Sequence, residues 1–153
     1  MSQVPFSVKE CNIGSGALCG AIFLHKNFKE LLRHKLGTRA NSILTERKLK
    51  EAMSYFENSV KRAFNPYDET CEPDFDVPLG NTSDILSIGL EDGYLRLSMF
   101  EVPVVSKLND RDDIKGVFLP IFEQIHDLIT QQMRDVEAKG YGKLKVYVYF
   151  AFI

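Results

Sequence analysis

The sequence predicts a mixed α/β fold in which long helices pack on a sheet. Apolar residues recur at helical spacing over about 19–36, over about 43–64 and in the stretch that ends at Gly140. An Asp-Gly step at 92–93 lies between two apolar runs, which is typical of a β-hairpin. The segment 143–152 is apolar along its length rather than alternating. This pattern favours a strand buried on both faces, as in a parallel sheet between helices.

The N-terminal part is predicted to form a strand and then the first helix. Val4, Phe6 and Val8 alternate with other residues, so a half-buried strand is expected over about 4–12. The glycine-containing segment 12–16 bends the chain, and a helix follows until Gly37 supplies a C-terminal stop. The apolar positions of this helix are Phe23, Leu24, Phe28, Leu31, Leu32 and Leu36.

The second helix is predicted over about 43–64. Its apolar residues are separated by four, three, four and four positions, and Asn65-Pro66 ends the stripe. These residues are Leu49, Met53, Phe56, Val60 and Phe64.

The middle of the chain is predicted to form a hairpin. Strands are expected near 84–90 and 94–98, joined by a tight turn at Asp92-Gly93. The segment 75–79 is also apolar, but it is interrupted by Asp76 and Pro78, and it is assigned to no element.

A third long helix is predicted from a cap at Asn109 or Asp110 to Gly140. Pro120 lies inside it, and an internal proline costs a helix about 3 kcal/mol. Either the helix kinks at Pro120, or two helices abut and Pro120 belongs to the first turn of the second. The apolar face comprises Ile114, Val117, Phe118, Ile121, Ile125, Leu128 and Ile129.

Composition argues against several functional classes. A net charge of -2 with 26% charged and 44% hydrophobic residues is ordinary for a globular chain and does not suggest nucleic-acid binding. The longest apolar run, 146–153, is too short to cross a bilayer, and no secretion signal leads the chain. Three cysteines without a Cys-x-x-Cys pair suggest free thiols in a reducing compartment. We therefore expect a cytoplasmic protein that binds neither nucleic acid nor membrane.

No metal site or catalytic group is expected either. His25 and His34 lie nine residues apart on the first predicted helix, which puts them on opposite faces, so they cannot share a metal. No nucleophile motif such as Gly-x-Ser-x-Gly occurs. An unrelated small enzyme therefore has no supporting group of residues.

Five local patterns occur in order over about residues 3–150. They are LCGAIFL at 18–24 with FKELL at 28–32 and LG at 36–37; AMSYFE at 52–57 with Lys61 and Phe64; DGYLRLS at 92–98; FLPI at 118–121 with Ile125, Leu128, Ile129 and Gln132; and the predicted strand at 143–149. Together they resemble part of the second lobe of the actin-like ATPase domain, of ribonuclease H-like architecture, in divergent members of the seventy-kilodalton heat-shock chaperone family. The resemblance implies one domain, 1–153, that is a fragment of this lobe. Residues 99–110 depart from the pattern.

The resemblance also implies a ligand, ATP or ADP with Mg²⁺, and adenosine contacts at Glu57, Lys61 and Arg62. In such a site a carboxylate binds ribose hydroxyls and a cationic side chain stacks on the base. The alternative is an exposed Glu-Lys pair one helical turn apart, which contributes about 0.2–0.5 kcal/mol to helix stability.

The glycine-rich phosphate loops of the resembled family are not found in this sequence. Phosphoryl transfer depends on such positioning and charge-stabilising parts. We therefore expect a truncated chaperone-like lobe with at most weak ATP or ADP binding, no hydrolysis on its own and no catalytic residue. The alternative is a nucleotide-independent interaction module. It would dock or self-associate by strand addition through the apolar run 146–153, which starts at Val146 and ends at Ile153.

Overall fold

A computed structural model describes residues 20–65, 74–98 and 114–141. In chain order these form helix α1 (Ala21–Leu36), short helical turns at Gly37–Arg39 and Ala40–Ile43, helix α2 (Glu46–Tyr55), strand β1 (Asp74–Pro78), strands β2 (Leu90–Glu91) and β3 (Tyr94–Ser98), and helix α3 (Lys115–Ala138). Buried side chains from all three helices and from the sheet belong to one hydrophobic cluster. The mixed α/β class is thus confirmed for the described residues.

Helix α1 matches the prediction in both its extent and its buried face. Leu24, Phe28, Leu32 and Leu36 are buried at four-residue intervals, so a single stripe of the helix faces the core. The helix ends at Gly37, whose φ of 55° is costly for any residue with a Cβ. The Gly37 N–H donates to the carbonyl oxygens of Arg33 and His34, which closes the last turn.

Helix α2 begins later than predicted and changes its winding before it ends. The Thr45 hydroxyl accepts a hydrogen bond from the Lys48 N–H, so Thr45 is the N-cap and the helix starts at Glu46 rather than near 43. After Tyr55 the chain forms a π-helical turn, Phe56–Val60, and then one α-helical turn, Lys61–Ala63. The Lys61 N–H donates to the Phe56 carbonyl oxygen, five residues back, which is the defining bond of a π-turn.

The π-turn gives a physical reason for the spacing of the apolar stripe. On one face of a regular α-helix, buried positions are alternately four and three residues apart, so position 63 would follow Val60 in the core. Ala63 is nevertheless exposed. The extra residue of the π-turn instead directs Phe64 inward, where its ring stacks on Phe118 with centroids 4.0 Å apart.

The sheet has three antiparallel strands in the order β1-β3-β2. Strand β1 was not predicted. It pairs with β3 from Asp74 opposite Ser98 to Pro78 opposite Tyr94. Phe75 and Val77 are buried, whereas Asp74 and Asp76 are exposed. The prediction missed it because Pro78 interrupts the apolar pattern, yet proline is tolerated at the end of an edge strand.

The predicted hairpin is confirmed at its turn and at its second strand, β3. Asp92 and Gly93 have φ of 50° and 78°, as a two-residue turn with two left-handed positions requires. The first predicted strand, 84–90, is wrong over most of its length. Leu86–Ile88 forms a 3-10 turn, and β2 has only two residues. Ile85 pairs with Leu90, the first residue of β2, through an isolated antiparallel bridge.

Helix α3 is continuous from Lys115 to Ala138 with Pro120 inside it. The alternative in which two helices abut at Pro120 is therefore wrong, and the predicted caps Asn109 and Asp110 lie outside the described residues. Pro120 has no N–H to donate to the carbonyl oxygen of Gly116, four residues earlier. The next carbonyl, the Val117 oxygen, accepts a hydrogen bond of 3.0 Å from the Asn27 side chain of α1.

A chain of aromatic rings joins the three helices in the core. Phe28 of α1 stacks on Phe56 with centroids 4.2 Å apart, and Phe56 lies 5.8 Å from Phe118 of α3. Phe118 also stacks on Phe64, and Phe122 lies at the rim of this group, 6.1 Å from Phe64. The site residues at 57–62 are therefore built on a helix that is held from both sides.

The predicted strands at 4–12 and 143–152 lie outside the described residues, and so does the run 146–153 of the interaction alternative. The prediction of a parallel sheet and that of docking through Val146 to Ile153 stay predictions. Within the described ranges, no helix has both the length and the apolar character that a membrane span requires.

Candidate functional site

The three predicted site residues lie at the π-turn of α2 and directly after it. Glu57 is inside the turn, and Lys61 and Arg62 belong to the α-helical turn that follows. π-turns are rare and occur frequently at functional sites, because the extra residue reorients side chains without ending the helix. The structure thus brings the predicted residues together on an unusual local backbone.

Lys61 is a buried cation, and this differs from the exposed pair that the alternative prediction assumed. Its side chain is only 3% exposed, whereas the Glu57 side chain is 35% exposed. The Lys61 ammonium donates to both carboxylate oxygens of Glu57, at 3.1 Å to Oε1 and 2.8 Å to Oε2. Because a buried ammonium needs a partner, Lys61 is committed to Glu57.

Arg62 is exposed and lies next to Lys61 in the chain. Of the two cations that the sequence proposed for the site, it is the one whose side chain reaches the solvent. A planar guanidinium at the surface can stack on an aromatic ring of a ligand, whereas the buried Lys61 ammonium cannot.

A fourth residue, His25 of α1, belongs to this group and was not predicted as part of it. Its Nε2 atom contacts the Glu57 Oε1 atom, and its ring meets the Phe56 ring edge to face with centroids 6.1 Å apart. Sequence reasoning considered His25 only as a metal ligand. The one available signal was its position one turn before Phe28, which stacks on Phe56.

The arrangement suits Glu57 to accept hydrogen bonds from a ligand in a fixed direction. Its carboxylate is held by Lys61 from its own helix and touched by His25 from α1, and about a third of the side chain still faces solvent. An ionised carboxylate has about four lone-pair positions. Lys61 uses two of them and the His25 contact a third, so about one remains for a hydroxyl group of a ligand.

A separate depression of about 380 Å³ lies on the outer face of the sheet, away from the site residues. The Arg96 side chain crosses it and donates to Asp76 Oδ1 at 3.1 Å, with Asp74 at 3.9 Å. The hydrogen bond to Asp76 raises the pKa of Arg96. The residues that line the depression are Asp76, Leu86, Gly89, Glu91, Asp92, Tyr94 and Arg96.

Tyr55 precedes the π-turn and is linked to the same sheet through Asp76. Burial raises the pKa of its phenol, and the negative charge of Asp76 raises it further. Tyr55 is therefore held as a neutral phenol and does not act as a base near neutral pH.

Among the residues in the three described ranges, no group of three or more His, Cys, Asp or Glu side chains is placed to hold a metal ion. The three cysteines lie outside those ranges. The side-chain groups of the site are the Glu57 carboxylate, the Lys61 and Arg62 cations and the His25 imidazole.

Comparison with known proteins finds no matching family model, no matching curated protein and no matching solved structure.

Proposed function

We propose that this chain is a partial, chaperone-like actin-fold ATPase lobe that binds the adenosine part of ATP or ADP weakly at Glu57 and Arg62. The observation that carries the proposal is the Glu57 carboxylate, which lies on a π-turn, is bonded twice by buried Lys61 and remains about one-third exposed. A fixed and partly exposed carboxylate favours the binding of a hydroxyl group, such as one of a ribose.

The three residues have different roles in this proposal. Glu57 accepts a hydrogen bond from a ribose hydroxyl, and exposed Arg62 stacks on the base. Lys61 does not touch the ligand, because its side chain is 3% exposed and its ammonium donates to both oxygens of Glu57. The proposal covers binding only, and no described residue is assigned to phosphoryl transfer.

Isothermal titration calorimetry with adenosine, ADP and ATP, each with Mg²⁺, tests the proposal. We expect dissociation constants of about 1 mM, equivalent to about -4 kcal/mol. The three affinities should differ little, because the proposed contacts are with adenosine alone. ATP or ADP binding without adenosine binding would mean that phosphate contacts dominate and would contradict the assignment.

Two variants and a matched control locate the site. Glu57→Gln should weaken binding about tenfold, since it removes a charged acceptor. Arg62→Ala should weaken it about two- to fivefold, the range of an exposed cation-π contact. Arg47→Ala is the control, because Arg47 is an 85% exposed arginine near the start of the same helix. Equal losses in Arg62→Ala and Arg47→Ala would indicate non-specific attraction of phosphate.

A further inference from the structure

We infer that His25 is a positioning residue for Glu57: its Nε2–H donates to Glu57 Oε1 from helix α1, while Lys61 Nζ bonds both carboxylate oxygens from the helix that carries Glu57. The consequence for nucleotide affinity rests on the proposed function. The contact between His25 and Glu57 is a property of the folded chain and is testable without nucleotide.

The first support is the burial of one atom in a half-exposed ring. The His25 side chain is 36% exposed, but its Nε2 atom has less than 1 Å² of exposed area. A buried ring nitrogen without a partner costs about 1–3 kcal/mol. The Nε2 atom makes no hydrogen bond of regular geometry to the described residues, and Glu57 Oε1 is the charged acceptor in contact with it, so Oε1 is the acceptor available to Nε2–H.

The second support is the way in which the ring itself is held. The His25 ring packs edge to face on Phe56, which is fully buried and stacked on Phe28. Because Phe28 lies one turn after His25 on α1, the same stacking that joins the helices also sets the height of the imidazole against the π-turn. The ring therefore approaches Glu57 from a rigid support.

The third support is that Lys61 alone does not fix the carboxylate plane. A primary ammonium on a flexible four-carbon stem allows the carboxylate to rotate, even when it bonds both oxygens. A second donor, from a different helix, removes that freedom. The two donors together leave the remaining lone pair in a defined direction.

Nuclear magnetic resonance of the ¹⁵N-labelled chain tests the contact directly. We expect the ring proton of neutral His25 to be on Nε2, to give a hydrogen-bonded signal, and to lose that signal in Glu57→Ala. The exposed rings of His34 and His126 are internal references that should not change in this variant. A neutral His25 that carries its proton on Nδ1 would overturn the inference, because two lone pairs would then face each other.

Urea unfolding of a double-mutant cycle, His25→Ala with Glu57→Gln, provides a second readout if Glu57→Ala does not fold. We expect the folding equilibrium constant of the double variant to differ by at least about threefold from the value obtained by multiplying the effects of the two single variants. Independent, multiplying losses would overturn the inference.

ADP titration then separates positioning from simple packing. His25→Ala should raise the dissociation constant about fivefold, and His25→Gln, which keeps a side-chain N–H donor, should restore it to within about twofold. His34→Ala, an exposed histidine on the same helix, should have no effect. If the wild-type chain does not bind adenosine or ADP, the proposed function fails, and the spectra and the cycle still decide the role of His25. Binding that is unchanged in His25→Ala would overturn the positioning role.

Discussion

At the scale of single residues, the contrast between Lys61 and Glu57 decides what the site can do. They form one ion pair, but Lys61 is buried and Glu57 is about one-third exposed. A buried charge without a partner is far more costly than an exposed one. The pair is therefore asymmetric: Glu57 supports Lys61 in the core, and Lys61 orients Glu57 at the surface.

This asymmetry predicts unequal effects of removing the two partners. Glu57→Ala leaves an unpaired ammonium in the core and should lower the free energy of unfolding by about 3–5 kcal/mol. Lys61→Met fills the same space with apolar atoms and leaves a carboxylate that water can reach, so it should change stability by about 1 kcal/mol or less. Urea unfolding of both variants measures the difference. Equal losses would mean that the Lys61 ammonium reaches solvent.

The raised pKa of Tyr55 predicts that the folded chain loses stability at high pH. Burial and Asp76 raise the pKa of its phenol above the ordinary 10.0, so the folded chain favours the neutral form. The contribution of the neutral Tyr55 phenol to folding stability is complete below pH 10.0, where the residue is neutral in both the folded and the unfolded chain. It is lost as the pH rises above 10.0, because Tyr55 ionises first in the unfolded chain. The free energy of unfolding of the wild-type chain should therefore fall relative to that of Tyr55→Phe as the pH rises above 10.0. A constant difference would contradict the assigned environment.

At the scale of elements, the hairpin depends on a close approach between two glycines. The Leu79 N–H donates to the Gly93 carbonyl oxygen at 2.8 Å, which draws the end of β1 against the turn. A Cβ on Gly93 would lie 2.3 Å from the Gly80 carbonyl oxygen, well inside contact distance. The sequence identified the turn from its Asp-Gly step, but the second requirement for glycine comes from Gly80, a long-range neighbour in the fold.

Gly93→Ala should therefore destabilise the chain by at least about 2 kcal/mol, from the positive φ and the clash together. The matched control is Gly116→Ala in the first turn of α3, where a new Cβ meets nothing within 4 Å. That change should be neutral or stabilising by up to about 1 kcal/mol, because alanine is the better helix former. Thermal unfolding compares the two variants, and similar losses in both would contradict the close approach.

At the scale of the whole molecule, the aromatic chain couples the three helices to one another. Phe118 is fully buried and lies against both Phe56, the first residue of the π-turn, and Phe64, which follows the turn. The conformation of the site residues therefore depends on a helix that is distant in the sequence. This dependence is a reason why the local pattern at 52–62 did not reveal the burial of Lys61.

Phe118→Ala should lower the free energy of unfolding by about 3–5 kcal/mol, the usual cost of removing a buried phenylalanine. Phe122→Ala is the control: the ring is half-buried at the rim of the same group and should cost clearly less. Chemical denaturation measures both, and a larger loss in Phe122→Ala would mean that the core is centred elsewhere.

The sequence by itself determined the helix α1, the apolar stripe of α2, the turn of the hairpin and most of the extent of α3, because these depend on spacing and on glycine at particular positions. Helical spacing also placed Glu57 one turn before Lys61, with Arg62 adjacent, although their choice as site residues came from the family resemblance. Only the tertiary structure decided that β1 is a strand, that the chain at 56–60 winds as a π-turn, that Lys61 is buried and that His25 contacts Glu57. The physical reason is that burial and contact between helices depend on partners far apart in the chain, whereas periodicity records only which face of an element is apolar.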